Sequence, residues 1–295
     1  MGAVSTNQAF AGRWDLTLQD GDHREMPSWL EVTFQNGIPR ADFVGRWGSC
    51  RSLPEVEITG DRIRFVSPKN EEDSKTDLVF LGKLTGDTMA GTALGPNRAA
   101  WSWTTKRAPV LPPPAVIKWG KPLTLFNGLD FTGWRFDPPE HSGSWKVADQ
   151  CLVNHSAGAN LITRKTFQNF KLHVEVNCPP KSNSGIYLRG RYEVQVEEDS
   201  IEEPPSHRIG AIYGFLGPKP AQPRRPGEWQ TFDITLLGRF VTVRQNGHTT
   251  IDNQEIPGIT GGALDSHEAL SGPIYLQGDH GGVVYRNLVL TPAAP

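Results

Sequence analysis

The residues from Lys181 to Asp199 carry the densest set of groups able to do chemistry: Lys-Ser-Asn-Ser-Gly-Ile-Tyr-Leu-Arg-Gly-Arg-Tyr-Glu-Val-Gln-Val-Glu-Glu-Asp. A polar turn over residues 181–185 feeds a strand over 186–189, and a second strand follows over 192–197. Side chains alternate across a strand, so Tyr192, Val194 and Val196 take one face while Glu193, Gln195 and Glu197 take the other. Two carboxylates around an amide, with Arg189 close by, are groups for acid/base work or for oxygen ligation of a divalent cation. A solvated outer face is the competing reading of the same pattern.

Positioning such a row requires a sheet, and the chain after residue 121 reads as nearly all β. A turn-rich stretch over 126–134 precedes a hairpin over 145–153, turning at Ala148-Asp149-Gln150. Further strands are expected at 160–163, 171–177, 231–237, 240–245, 249–252, 274–277 and 283–290, with a long Pro- and Gly-rich loop over 198–227. This spacing, with no convincing amphipathic helix, points to an antiparallel sandwich. Ser184-Gly185-Ile186-Tyr187-Leu188-Arg189-Gly190 recurs as Ser271-Gly272-Pro273-Ile274-Tyr275-Leu276-Gln277-Gly278. The echo suggests two strands in like surroundings, as neighbours, with Arg189 and Gln277 at matching places on one concave surface.

Residues 10–107 read as a separate small all-β unit, with alternating runs divided by hairpin-type turns at Asn36-Gly37, Thr59-Gly60-Asp61 and Thr85-Gly86-Asp87. The opening Gly12-Arg13-Trp14 and the closing Trp101-Ser102-Trp103-Thr104-Thr105-Lys106-Arg107 are similar to the first and last strands of a lipocalin-like barrel. In such barrels a late Arg can lie over the Trp. The aromatics here read as core rather than as a ligand pocket. Ala108-Pro-Val-Leu-Pro-Pro-Pro-Ala115 cannot pair into a sheet centre and reads as a semi-rigid spacer. The expected organisation is therefore a small lipocalin-like β-barrel or sandwich at 1–107, a Pro-rich linker at 108–121 and a second β domain at 122–295.

The totals agree with a globular β protein. Of 295 residues, 21% are charged and 37% hydrophobic, and 31 Gly, 24 Pro and 9 Trp suit many short strands and turns. A net charge of −2 gives no electrostatic reason to expect nucleic acid or an acidic membrane surface as partner. No apolar run reaches the roughly 18 residues of a membrane span. The first residues have neither a basic start nor an apolar core, so no signal peptide is expected in the sequence as it stands; a removed signal would imply export or the periplasm. Cys50, Cys151 and Cys178 form no paired framework and no C-x-x-C spacing.

The domain from about Pro122 to Pro292 resembles the 3-keto-disaccharide hydrolase family, also described as 3-keto-glucoside 1,2-lyase/3-keto-2-hydroxy-glucal hydratase. The resemblance runs in order through Leu125-Phe126-Asn127-Gly128, Gly133-Trp134, Trp145-Lys146-Val147 and Phe170-Lys171-Leu172-His173-Val174-Glu175-Val176. It continues through Asn183 to Arg189, Tyr192 to Val196, Gly210-Ala211-Ile212-Tyr213-Gly214, Gly227-Glu228-Trp229-Gln230, Asn246-Gly247 and Leu276 to Asn287. One departure is local: the family's usual Leu-Gln-x-His-Gly is here Leu276-Gln277-Gly278-Asp279-His280-Gly281. The resemblance implies a concanavalin A-like jelly roll, a two-sheet sandwich whose concave face holds a sugar. The N-terminal unit lies outside it.

It also implies a chemistry. A sugar ketone at C3 acidifies the C2 proton; a base removes it, the enolate expels the C1 substituent by β-elimination, and water adds to the unsaturated sugar. Such a site needs a base near neutral pKa, an enolate stabiliser and an acid for the leaving oxygen. His280, in a Gly-rich turn, is the candidate base or metal ligand. Glu193 and Gln195, with Glu175 on another strand, are candidates for acid/base work or oxygen ligation, and Arg189 is a candidate enolate stabiliser, with a salt bridge to Glu193 as its alternative. Asn183, Asp199 and Gln277 are candidate hydroxyl-binding groups, and Trp145 and Tyr213 candidate stacking platforms. No Cys/His spacing marks a metal site, so a divalent ion would be held by groups the fold brings together; no organic cofactor is implied.

Two other functions remain open at this level. Glu193-x-Gln195-x-Glu197 resembles the Glu-x-Asp-x-Glu strand of retaining β-glucanases, with Gln in place of the central Asp. A non-catalytic carbohydrate-binding module is the third reading, since this sandwich serves lectins too; such a module needs aromatics and amides on the concave face, whereas an eliminating enzyme needs Glu193, Glu175 and His280 together. The partner in every case is a sugar, and a homo-oligomer is compatible with the chain.

Overall fold

The computed structural model describes residues 6–72, 74–95, 98–197, 203–223 and 225–294. It divides into two compact units. The described part of the first runs to Val110 and also takes in Gly258–Glu268; the second comprises Leu111–Pro257 and the chain from Ala269.

In the first unit the described residues form β1 (Gly12–Gln19), β2 (Glu25–Gln35), β3 (Ile38–Val44), β4 (Arg51–Ser52), β5 (Glu55–Thr59), β6 (Arg62–Ser67), β7 (Leu78–Thr85), β8 (Thr88–Leu94) and β9 (Ala100–Arg107). They make one sheet in the order β4-β3-β2-β1-β9-β8-β7-β6-β5, and it curls until β5 meets β3. Every second side chain points inward, as in Trp14, Leu16 and Leu18 of β1. The interior is filled: Phe65 stacks on Phe80 with centroids 4.5 Å apart, and Phe43 and Trp103 meet them edge-on or tilted. The Arg107 guanidinium lies 3.8 Å from the Trp14 ring centroid, the cation–π pair that the first and last strands suggest.

Gly258–Glu268 joins this unit although the sequence reading assigns it to the continuous domain 122–295. The reason is local packing. Gly258 lies so close to the Trp29 indole that a Cβ there would stand 2.2 Å from Nε1. Ser266 and Thr17 share a hydrogen bond of 2.9 Å, and Ile259 is fully buried.

The second unit is a two-sheet jelly roll. Its described strands are β10 (Leu123–Thr124), β11 (Trp134–Asp137), β12 (Trp145–Ala148), β13 (Cys151–Asn154), β14 (Asn160–Thr163), β15 (Phe170–Asn177), β16 (Asn183–Leu188), β17 (Tyr192–Glu197), β18 (Trp229–Leu237), β19 (Phe240–Gln245), β20 (His248–Glu255), β21 (Tyr275–Leu276) and β22 (Val283–Pro292). One sheet runs β12-β13-β22-β15-β18-β19-β20, with β10 also on β22; the other runs β11-β14-β21-β16-β17. The inward residues are the apolar halves of the alternating pattern: Leu172, Val174 and Val176 from β15, and Tyr192, Val194 and Val196 from β17. A hydrogen bond of 2.7 Å between Ser184 of β16 and Tyr285 of β22 links the two layers. Among the described residues no helix is long and apolar enough to cross a membrane.

Candidate active site

The outer face of the five-stranded sheet carries the polar halves of its strands. The register sets Tyr187 opposite Glu193, Gly185 opposite Gln195 and Asn183 opposite Glu197. On the other edge of β16, Tyr187 lies opposite Tyr275. Directly opposed residues share a face, so Asn183, Tyr187, Glu193, Gln195, Glu197 and Tyr275 form one surface, and Gln277 extends it two residues beyond Tyr275. The hairpin reverses through Arg189 and Gly190, both with left-handed φ (54° and 66°).

Glu193 sits deep in this face, 4% exposed. Its Oε2 accepts a hydrogen bond of 3.0 Å from the Tyr187 hydroxyl. Burial pushes its pKa up to about 8, against the pull of the Tyr187 hydrogen bond and the nearby His280 charge, with Asp279 and Glu197 adding to the push. Glu193 is therefore a carboxyl that holds its proton at neutral pH and becomes a strong base once ionised. Gln195 is equally buried; its Nε2 donates to Glu197 Oε2 at 3.2 Å and its Oε1 accepts from the Val196 N–H. Residues 210–213 run along the open edge of β17. There Gln195 N–H donates to Ala211 O, Gly210 N–H to Gln195 O, and Tyr213 N–H to Glu193 O. An edge that would otherwise expose backbone groups is thus closed by a segment the sequence reads only as loop.

His280 stands at the rim, its side chain 48% exposed, with Nδ1 2.6 Å from Asp279 Oδ1. That hydrogen bond raises the imidazole pKa; burial opposes it, and the charges of Asp279, Glu193 and Glu197 add to the rise. The turn carrying it is pinned at both ends. Gly278 N–H donates to Asn160 Oδ1 and Gly278 O accepts from Asn154 Nδ2, each at 2.8 Å, while the Ser182 hydroxyl donates to Gly282 O. Gly278 is required there, since a Cβ would lie 2.2 Å from Ala159 O. Asn183 and Gln277 complete the surface. Asn183 Oδ1 and Gln277 Oε1 are buried acceptors with no hydrogen-bond partner among the described residues.

Three expected members are elsewhere. Glu175 lies on β15 in the other sheet, where alternation turns it outward; it accepts from Arg286 Nε at 2.7 Å and Asn287 Nδ2 at 2.6 Å. Arg189 caps the far end of the hairpin, fully buried, and donates to the Tyr192 hydroxyl at 2.8 Å on the apolar face rather than to Glu193. The echo with residues 271–278 is real in that β16 and β21 are neighbours, but they are antiparallel; Gln277 therefore falls beside Gly185, and Arg189 at the opposite end. Trp145 is buried, its Nε1 donating to Ala159 O at 2.6 Å, and offers no stacking face. Asp199 lies outside the described residues. Tyr213 is at the β17 edge, its ring 4.9 Å from that of His207.

Three participants escape the sequence reading: Tyr187, Gly185 and Asp279. The hairpin register could have revealed the first two, because a turn at Arg189-Gly190 sets Tyr187 across from Glu193. Among the described residues no three His, Cys, Asp or Glu side chains gather to hold a metal ion.

The sequence matches the family described as a 3-keto-alpha-glucoside-1,2-lyase-like domain over residues 121–291. None of the curated proteins matches. Three solved structures of proposed glycosyl hydrolases from Parabacteroides distasonis are similar. The first is 27% identical, covers 61% of this chain and 92% of its own, and superposes with a TM-score of 0.48. The second is 20% identical, with 58% and 93% covered and a TM-score of 0.47; the third is 24% identical, with 58% and 98% covered and a TM-score of 0.45. The family match takes in more than half of the chain and every described residue of the polar face, and on it this chain belongs to the carbohydrate-active 3-keto-α-glucoside-1,2-lyase-like family.

Proposed function

We propose that the chain is an enzyme that cleaves 3-keto-glycosides by elimination and hydration. The observation that carries this reading is Glu193, a buried carboxyl with its pKa raised to about 8, hydrogen-bonded to the Tyr187 hydroxyl and near the His280 charge. A carboxyl in that range is a base matched to a C2 proton that a neighbouring ketone has acidified. Ionised Glu193 takes that proton, and the electron pair moves to the C3 oxygen as the enolate forms. The pair then returns to break the C1–O bond, while His280, its proton held by Asp279, protonates the departing oxygen. Water adds at C1 of the unsaturated ketone, so the products are the 3-keto sugar and the free alcohol. The amide N–H groups of Asn183 and Gln277 are the donors for the enolate oxygen in this scheme, a role that Arg189 cannot reach.

The test is incubation with a 3-keto-glucoside and with its unoxidised parent, each with and without chelator. The unsaturated ketone is followed by ultraviolet absorbance and the alcohol by chromatography. Cleavage of the keto form alone is the expected outcome, and the chelator arm separately reports a divalent ion. Cleavage of the parent overturns the elimination route in favour of a glucanase using Glu193 and Glu197. Binding of either sugar without cleavage favours a carbohydrate-binding module.

A further inference from the structure

We propose that Tyr187, clamped against Tyr275 and working across a gap left by Gly185, is the residue that positions the Glu193 carboxyl. The inference rests on the reading of Glu193 as the base, and it assigns how that base is aimed. Tyr187 is directly opposite Glu193 in the hairpin, so the two side chains leave the sheet side by side. Its hydroxyl donates to Oε2 at 3.0 Å, which fixes one oxygen of the carboxyl. The ring that carries this hydroxyl cannot swing, because it stacks on Tyr275 with centroids 4.2 Å apart and planes 11° from parallel. Both rings are buried, so neither is a platform for the sugar.

The other oxygen is aimed by an absence. A Cβ on residue 185 would stand 2.3 Å from Glu193 Oε1 and 2.9 Å from its carboxyl carbon. Gly185 has no left-handed φ to explain its identity, and the space it leaves is the space the carboxyl fills. Among the described residues, the charged and titratable groups around Glu193 include Asp279 and His280 of the turn after β21, Glu197 of its own strand, Tyr187 and Tyr275, with Tyr285 acting from the other sheet. The Tyr187 hydroxyl is hydrogen-bonded to the carboxyl, so removing it frees that oxygen and also takes away a pull that lowers the Glu193 pKa.

The experiment compares Tyr187→Phe, Gly185→Ala and Tyr275→Ala in the full chain. It reads kcat and KM on a 3-keto-glucoside and the infrared carbonyl band of the Glu193 carboxyl, identified by its loss in Glu193→Gln. Misplacing a reacting group by about 1 Å costs about 10²-fold in rate. Tyr187→Phe and Gly185→Ala are therefore expected to lower kcat by about that factor with KM within about twofold, and both to shift the band. Tyr275→Ala removes the stack and is expected to follow Tyr187→Phe. Loss of rate in Tyr187→Phe with an unmoved band overturns the proposal, as does an unmoved band with unchanged rate. The band needs no substrate: an inactive parent chain refutes the catalytic reading while the infrared comparison still decides whether Tyr187 aims Glu193.

Discussion

Glu175 and Glu193 are two glutamates on strands of the same jelly roll, each flanked by apolar residues that face the core, and their surroundings drive them in opposite directions. Glu175 faces outward from the larger sheet. Burial alone would raise its pKa, but hydrogen bonds from Asn287 and Arg286, and the charges of Arg286 and His173, outweigh it and bring it below the ordinary value. Glu193 lies in the smaller sheet, deeply buried and held by a neutral hydroxyl, and burial takes it to about 8. One is a carboxylate held in its ionised form at neutral pH by its hydrogen bonds; the other is a carboxyl whose pKa is raised into the neutral range. Residue type and flanking pattern are alike, so the difference belongs to the environment.

The sharpest way to break that contrast is to remove each carboxylate in turn. Glu193→Gln is expected to lower turnover of a 3-keto-glucoside by about 10³-fold, the range for loss of a general base. Glu175→Gln is expected to leave turnover within about twofold and to cost stability by about 0.5–1 kcal/mol, as a partly exposed ion pair is lost. Equal effects in steady-state kinetics would erase the distinction. Next in size is His280→Ala, expected to lower kcat by about 10²-fold, with a larger loss for poor leaving groups because the general acid is missing.

Stability against pH should separate the two carboxyls without any substrate. Glu193 binds its proton more tightly folded than unfolded, so its contribution is full in acid and is lost as pH rises from the unfolded value near 4.5 through about 8. Across that window the loss is on the order of a few kcal/mol, and urea titrations of Glu193→Gln should show a flatter profile. Glu175 has the opposite sign: its contribution is present above the unfolded value and lost as pH falls through its lower folded one. A smaller effect concerns the rim. Asp279→Asn removes the main cause of the raised His280 pKa, so NMR titration of the imidazole should show its midpoint moved downward.

Much of this architecture is legible in the residues. Alternation in Tyr192 to Glu197 names both faces of β17, and the register sets them as it says, although Glu193 and Gln195 on the polar face are buried too. Trp14 and Arg107 meet as barrel ends suggest. Alternation also carries the reason Glu175 fails as a site residue, since with Val174 and Val176 facing the core Glu175 has to face out; what it cannot say is which sheet β15 joins. Arg189 was read as near Glu193 because it is near in sequence, but a left-handed turn carries its side chain to the apolar side. Trp145 shows the same limit, for an aromatic in a hairpin looks the same whether it stacks on a sugar or buries its indole N–H against Ala159 O.

Taken by itself, the chain determined its class: period-two patterning and turn chemistry permit little besides β-sheets, and the ordered run of family segments places the polar row of Glu193, Gln195 and Glu197 on one strand. The tertiary structure alone decided which groups join that row. Strand order and antiparallel register brought in Tyr187, Tyr275 and Gln277 and left out Glu175 and Arg189. The depth of burial then raised the pKa of one of two similar glutamates. Both are long-range properties: spacing along a strand sets the side a residue faces, but the neighbours across the sheet and the water they exclude set its chemistry.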